Sequence, residues 1–204
     1  MIKDKIYQDK IYLITGGSAC GKSAYAEELS LTLPAGRRIY LATMHRDENP
    51  ETVKRITRHR ALRAGKGFRT IEKERNLPEI LPEIQREDGI LLEDLGNLVA
   101  GEMFSRSEDE KKQDEGEAAL ADRITSELLL LSHACSFLVV VANEIGEDGA
   151  GTDGTGYDGM TLSYIRILGA VKAKVAGRST AVVRLIAGIP VVLTGKETLP
   201  RCVR

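Results

Sequence analysis

An α/β fold, with a mostly parallel sheet, helices on both faces and a C-terminal hairpin at one edge, follows from three observations. Short apolar runs of strand length alternate with segments of helical length through most of the chain. The most apolar run, Phe137-Leu138-Val139-Val140-Val141, has no polar alternation, as a central strand buried on both faces requires. The first run, Ile11 to Ile14, leads through Gly16-Gly17-Ser18-Ala19-Cys20-Gly21-Lys22-Ser23 into a helix-forming stretch. That is the G-x-x-x-x-G-K-S pattern between strand and helix, and it makes the expected architecture P-loop NTPase-like.

Taken in order, the strand candidates are Ile11 to Thr15, Ile39 to Thr43, Phe68 to Ile71, Gly89 to Glu93, Phe137 to Ala142, Ala181 to Ile186 and Val191 to Thr194. Between them the pattern predicts helices over Ala24 to Leu33, Pro50 to Ala64, Leu77 to Gln85, Leu95 to Phe104, Glu117 to Ala134 and Met160 to Ala176. Gly188-Ile189-Pro190 predicts a hairpin into an edge strand, where a residue without an N–H is tolerated. No internal repeat is visible. A chain of 204 residues is long enough for one well-buried domain, and one domain spanning residues 1–204 is expected.

Composition narrows the function classes. With 29 Lys and Arg against 30 Asp and Glu the formal charge is -1, so the broad basic field of nucleic-acid binders is missing and no nucleic-acid partner is expected. The three cysteines, Cys20, Cys135 and Cys202, are odd in number and far apart, which argues against a disulfide framework or a zinc site and fits a reducing cytoplasm. The charged start Met1-Ile2-Lys3-Asp4-Lys5 is not followed by a secretory apolar core, and no apolar run approaches transmembrane length.

The phosphate loop carries the clearest chemistry. Its glycines let consecutive N–H groups turn inward around phosphate oxygens, and the helix start adds its positive dipole end. Lys22 is placed to reach the β and γ phosphates, and the Ser23 hydroxyl to ligate Mg²⁺. The run Ile90-Leu91-Leu92-Glu93-Asp94 ends a strand in paired carboxylates, suited to holding Mg²⁺ or its water shell, although acidic strand ends also serve solubility. Asn143-Glu144 is a second, weaker acidic strand end at the same edge.

Two polar stretches differ in character. Ser105 to Glu117 mixes both charges and reads as a solvated connection without assigned function. In Gly146 to Gly159 glycine recurs every two or three residues and Asp148, Asp153 and Asp158 are evenly spaced. A single copy without a stacked apolar core disfavours a calcium-binding repeat. The segment follows the C-terminal end of a central strand, which leaves two readings, a lid over bound substrate or an ordinary surface loop.

The three histidines are His45, His59 and His133. His133 precedes a buried strand and reads as structural; His45 follows the second strand, as does any residue of that loop. His59 stands among Arg55, Arg58, Arg60 and Arg63. Adjacent guanidinium charges disfavour protonation and leave the imidazole neutral and nucleophilic, while the same arginines can hold phosphates. Spacing and charge alone are equally served by a basic helix face with an incidental histidine.

Several segments together resemble one family. Thr15-Gly16-Gly17 to Ala26-Glu27, Ile39-Tyr40-Leu41-Ala42-Thr43, Arg55-Ile56-x-x-His59-Arg60 followed by Phe68-Arg69-Thr70-Ile71-Glu72, Leu91-Leu92-Glu93, and Val141-Ala142-Asn143-Glu144-Ile145-Gly146 occur in the order found in the bifunctional adenosylcobinamide kinase / adenosylcobinamide-phosphate guanylyltransferase family of cobalamin biosynthesis. The resemblance spans nearly the whole chain. It implies phosphorylation of the aminopropanol hydroxyl of adenosylcobinamide, then transfer of GMP from GTP through a guanylylated histidine, for which His59 is the matching position. Lys22 is the second catalytic residue. The implied nucleotide contacts are Gly16 to Ser23, Thr43, Met44, His45, Arg60, Glu72 and Glu93, with Ser23 and Glu93 serving the metal. Mg²⁺, GTP and ATP, a corrinoid acceptor and a homotrimer complete what the resemblance implies. Ala19-Cys20 replace a common Arg-Ser, Lys172 stands where asparagine is usual, and Val-Pro is missing after Asn-Glu-Ile-Gly. Two other readings remain at this level, a P-loop enzyme with one activity on another acceptor and a nucleotide-binding regulatory module.

Overall fold

The computed structural model describes residues 10–45, 65–105, 115–145 and 156–201. The strands are β1 (Ile11–Gly16), β2 (Arg38–Ala42), β3 (Phe68–Glu72), β4 (Gly89–Glu93), β5 (Phe137–Asn143), β6 (Ala181–Ile186) and β7 (Ile189–Thr194). The helices are α1 (Lys22–Thr32), α2 (Leu95–Phe104), α3 (Glu117–Ala134) and α4 (Gly159–Ala176). The strands form one sheet in the order β3-β2-β4-β5-β1-β6-β7. Every neighbouring pair is parallel except β6 and β7. Each predicted strand, and each predicted helix within the described residues, is met within two residues of its expected ends. The predicted helix Pro50 to Ala64 lies outside the described residues.

Alternation along the strands sorts the core into two layers. Ile11, Leu13, Ile39, Leu41, Ile90, Leu92, Leu138 and Val140 pack with α2, α3 and α4. Tyr12, Ile14, Tyr40, Leu91, Phe137, Val139 and Val141 face the other way, toward Tyr25, Ala26 and Leu29 of α1. A strand flanked by neighbours and covered on both faces must be apolar at every position, and β1 and β5 are.

Two local departures have simple causes. The stretch Leu77–Glu83 is a 3₁₀ helix, not the α-helix that its composition suggests. Pro78 is tolerated in the first turn, but Pro82 removes an N–H and crowds the preceding turn, so a longer helix is blocked. Pro190 lies inside β7, which is admissible because β7 is an edge strand. The turn before it, Ala187-Gly188, has φ of 49° and 84°, the mirror-image turn whose twist matches a hairpin.

At the opposite edge from the loops, Arg37 ties β2 to β4. Its Nε and Nη2 donate to the two oxygens of Asp88 at 2.7 and 2.6 Å, and the backbone N–H of Gln85 adds a third bond to the same carboxylate. Burial opposes the charge on Asp88, yet the Arg37 guanidinium and the Gln85 N–H outweigh it and hold the carboxyl below the ordinary range. A depressed native pKa gives stability that is present above the unfolded value, near 4, and is lost as pH falls through the native one. Asp88→Asn is expected to cost about 2 kcal/mol near neutral pH, discounted because half of the pair is exposed, and to flatten the acid limb of the stability curve. Urea unfolding at pH 7 and at pH 4 measures both effects; equal losses at the two pH values would remove the charge from the argument.

Candidate nucleotide site

The phosphate loop is shaped by its neighbours as well as by its glycines. At the end of β1 Gly16 has φ of 148°, and a Cβ there would lie 2.5 Å from the carbonyl oxygen of Leu185 and 2.7 Å from Cys20 Sγ. Gly21 has φ of 95° and turns the chain into α1, whose first bond is Tyr25 N–H to Gly21 O at 3.0 Å. The adjacent strands pin the loop from outside, with Glu144 N–H donating to Gly16 O at 3.1 Å and Gly188 N–H to Cys20 O at 3.0 Å. Inside it, Lys22 is only 6 % exposed and its ammonium folds back to donate to Gly17 O at 2.5 Å. The cation is therefore held across the loop, where phosphate oxygens would meet it.

Ser23, in the first turn of α1, donates its hydroxyl to Glu93 Oε1. The other oxygen, Oε2, accepts from Tyr40 at 2.8 Å. Two oxygen-bearing groups from different elements thus meet at the mouth of the loop. A hard cation suits such donors, and Mg²⁺ characteristically takes one or two protein oxygens together with phosphates and waters. Among the described residues no group of three or more His, Cys, Asp and Glu could hold a metal by itself.

The paired carboxylates Glu93 and Asp94 have different roles. Asp94 is 7 % exposed. Its Oδ1 accepts from Asn97 N–H at 2.7 Å as the cap of α2, and its Oδ2 from the Asn143 side chain at 2.7 Å. Its carbonyl accepts from the Thr43 hydroxyl at 2.7 Å. Asp94 therefore knots the ends of β2, β4 and β5 together, and Glu93 is the carboxylate directed to the loop. Tyr164 of α4 lies against this knot, and burial together with the Asp94 charge pushes its hydroxyl up to about 12. Glu144 is likewise committed, accepting from Arg184 at 2.9 and 3.1 Å.

The remaining sequence-predicted residues spread along the same edge. Gly17 and Cys20 are half-buried, and Ser18 and Ala19 are exposed at the loop tip. Thr43 is fully buried, Met44 half-buried, and His45 exposed with Nδ1 against the Glu74 carboxylate. Glu72 is exposed at the end of β3, in register with Ala42 and, through it, Glu93. Four strand spacings separate β3 from β1, about 19 Å, so Glu72 is brought to the edge but not to the phosphate loop. His133 is exposed in the last turn of α3, favourable for an imidazole beside a helix C-terminus and on the sheet edge away from the loop. Asp158 caps α4 through Thr161 N–H at 2.7 Å, which explains one of the three evenly spaced aspartates. His59 and Arg60, with Arg58 and Arg63, lie outside the described residues, as do residues 106–114, 146–155 and Cys202.

Sequence reasoning did not select Tyr40, Asn143 as a partner of Asp94, or Arg184. A cap signal was available for Asp94, which directly precedes a helical stretch. Pairing between side chains of different strands left no comparable trace.

Similarity to solved structures is confined to the fold. The chain matches the crystallised ATPase domain of a larger protein with TM-score 0.50 at 10% identity, over 87% of this chain and 69% of that one. It matches a prototypical ATPase from the type III secretion system of pathogenic bacteria with TM-score 0.50 at 10% identity, over 87% of this chain and about half, 51%, of that one. A weaker match, TM-score 0.43 at 13% identity, is to the flagellar accessory protein FlaH from Methanocaldococcus jannaschii, over 92% and 79% of the two chains. No curated protein sequence matches. Among the described residues no helix is long and apolar enough to cross a membrane. The profile of the cobinamide kinase / cobinamide phosphate guanyltransferase family matches residues 12–193, and the chain, with its P-loop NTPase-like sheet and its phosphate loop, belongs to that family of transferases.

Proposed function

We propose that this chain phosphorylates the aminopropanol hydroxyl of adenosylcobinamide with ATP or GTP and then transfers GMP from GTP to that phosphate through a guanylylated His59. The observation that carries the nucleotide half of this reading is the convergence of Lys22, Ser23 and Glu93 at the phosphate loop. Loop N–H groups and Lys22 hold the β and γ phosphates, while Ser23 and Glu93 hold Mg²⁺, which supplies charge neutralisation on the phosphate oxygens. Thr43, Met44, His45, Arg60 and Glu72 extend the nucleotide contacts. In the first reaction the acceptor hydroxyl attacks the γ-phosphorus and the nucleoside diphosphate departs. In the second, a neutral imidazole nitrogen of His59 attacks the α-phosphorus of GTP and pyrophosphate departs; the cobinamide phosphate then displaces the histidine. Each step forms one bond to phosphorus as another breaks. The reading places one domain in the cytoplasm, assembled as a homotrimer, with the glycine-rich segment 146–159 as a lid over the acceptor.

Incubation with GTP labelled at the α-phosphate tests the covalent step, since only a guanylyltransferase retains label on the protein. Formation of phosphorylated cobinamide with unlabelled ATP or GTP tests the first reaction separately. A chain that binds GTP yet modifies neither itself nor cobinamide would leave this reading without support.

A further inference from the structure

We infer that Tyr40 is a positioning residue for the metal-dependent step, acting through Glu93. The inference rests on the proposed nucleotide chemistry and concerns how its carboxylate is held. Tyr40 and Glu93 sit on neighbouring strands: Tyr40 is in register with Leu91 and Ala42 with Glu93, so the tyrosine lies one same-face position behind the carboxylate. Its hydroxyl reaches forward to Oε2 at 2.8 Å, while Ser23 engages Oε1.

Tyr40 is itself fixed. It is 3 % exposed, and its ring stands edge-on to that of Phe68 on β3, with centroids 6.3 Å apart and planes at 84°. Phe68, Tyr40, Glu93 and Ser23 therefore form a continuous line from the outer strand to the first turn of α1. A glutamate side chain has three torsions, and unrestrained it must be ordered each time a cation is bound. With Oε2 tied to a buried phenol, only Oε1 is left beside Ser23, the orientation that a cation shared with phosphates needs. Support from a buried second group is what holds metal-binding carboxylates in place generally. A bare packing role would be served by phenylalanine, which the same cavity admits.

The test is Tyr40→Phe, read without turnover. Wild-type protein is loaded with a non-hydrolysable GTP analogue, Mn²⁺ is titrated in, and free Mn²⁺ is followed by its electron paramagnetic resonance signal. Tyr40→Phe is expected to weaken Mn²⁺ binding to this complex about tenfold, while affinity for the analogue in EDTA stays within about twofold. In a Glu93→Gln background the same change is expected to have no further effect, because the tyrosine then has no carboxylate to orient. Unchanged Mn²⁺ affinity in Tyr40→Phe overturns the inference, as does equal weakening in both backgrounds or a matching loss of analogue affinity in EDTA, which would mark a general packing defect. Wild-type protein that binds no analogue fails the nucleotide reading itself, and so the two failures are distinct. If Tyr40→Phe does not fold, Phe68→Leu, which loosens the ring without touching the hydroxyl, is expected to weaken Mn²⁺ in the same direction, and no change there overturns the inference.

Discussion

Lys22→Ala is expected to lower phosphoryl transfer more than a hundredfold while the protein remains folded. The ammonium lies across the phosphate loop, donating to Gly17 O at 2.5 Å with Cys20 Sγ 3.9 Å away. When phosphates enter, that one cation exchanges a carbonyl for oxygens whose charge rises in the transition state, and removing such a donor from a water-poor site costs about 3 kcal/mol or more. At about 1.4 kcal/mol per factor of ten, this is over two orders of magnitude. Structure should survive because the loop is shaped by other contacts: Glu144 to Gly16, Gly188 to Cys20, and the left-handed turn at Gly21. The measurements are steady-state phosphorylation of cobinamide and a thermal melt of the same preparation. Turnover equal to wild type would remove this loop from catalysis. A collapsed melt would instead assign the lysine to folding.

The second large effect concerns His59. His59→Ala is expected to abolish both GMP labelling and guanylyl transfer and to keep kinase activity within about tenfold, a barrier change near 1.4 kcal/mol. The two reactions ask different things of the protein. Phosphorylation needs the γ-phosphorus, Lys22 and an acceptor hydroxyl, whereas GMP transfer needs a nucleophile at the α-phosphorus. A covalent intermediate also replaces the direct meeting of two anions, GTP and a phosphorylated acceptor, with two steps that are each assisted by cations. The P–N bond so formed should be released by acid and survive alkali. Stoichiometric labelling of His59→Ala would move the nucleophile elsewhere. His45 is the next histidine to test, since it is exposed at the end of β2 beside Glu74.

Local chemistry made most of the fold legible before any coordinates. Strand-length apolar runs gave β1 and β5 because a strand enclosed on both faces tolerates nothing else, and the glycine pattern gave the turn from β1 into α1 because few other residues adopt its backbone. The 3₁₀ helix at Leu77–Glu83 escaped because composition records helical tendency while Pro82 acts through a single missing N–H and a steric clash. Within the site, the sequence by itself determined the groups that bear on phosphate: Lys22, Ser23 and Glu93 sit in patterns whose spacing along the chain is the chemistry.

What only the tertiary structure decided is which of two adjacent carboxylates faces the loop and what holds it there. Glu93 and Asp94 are equivalent in composition, but alternation along β4 directs Glu93 to the α1 face, while Asp94 begins α2 and is consumed by Asn97, Asn143 and Thr43. Tyr40 stands 53 positions from Glu93 along the chain, and Asn143 stands 49 from Asp94. Such contacts depend on the order in which strands join the sheet, β2 beside β4 and β4 beside β5. That order arises from packing the whole chain at once, and no short stretch of residues carries it.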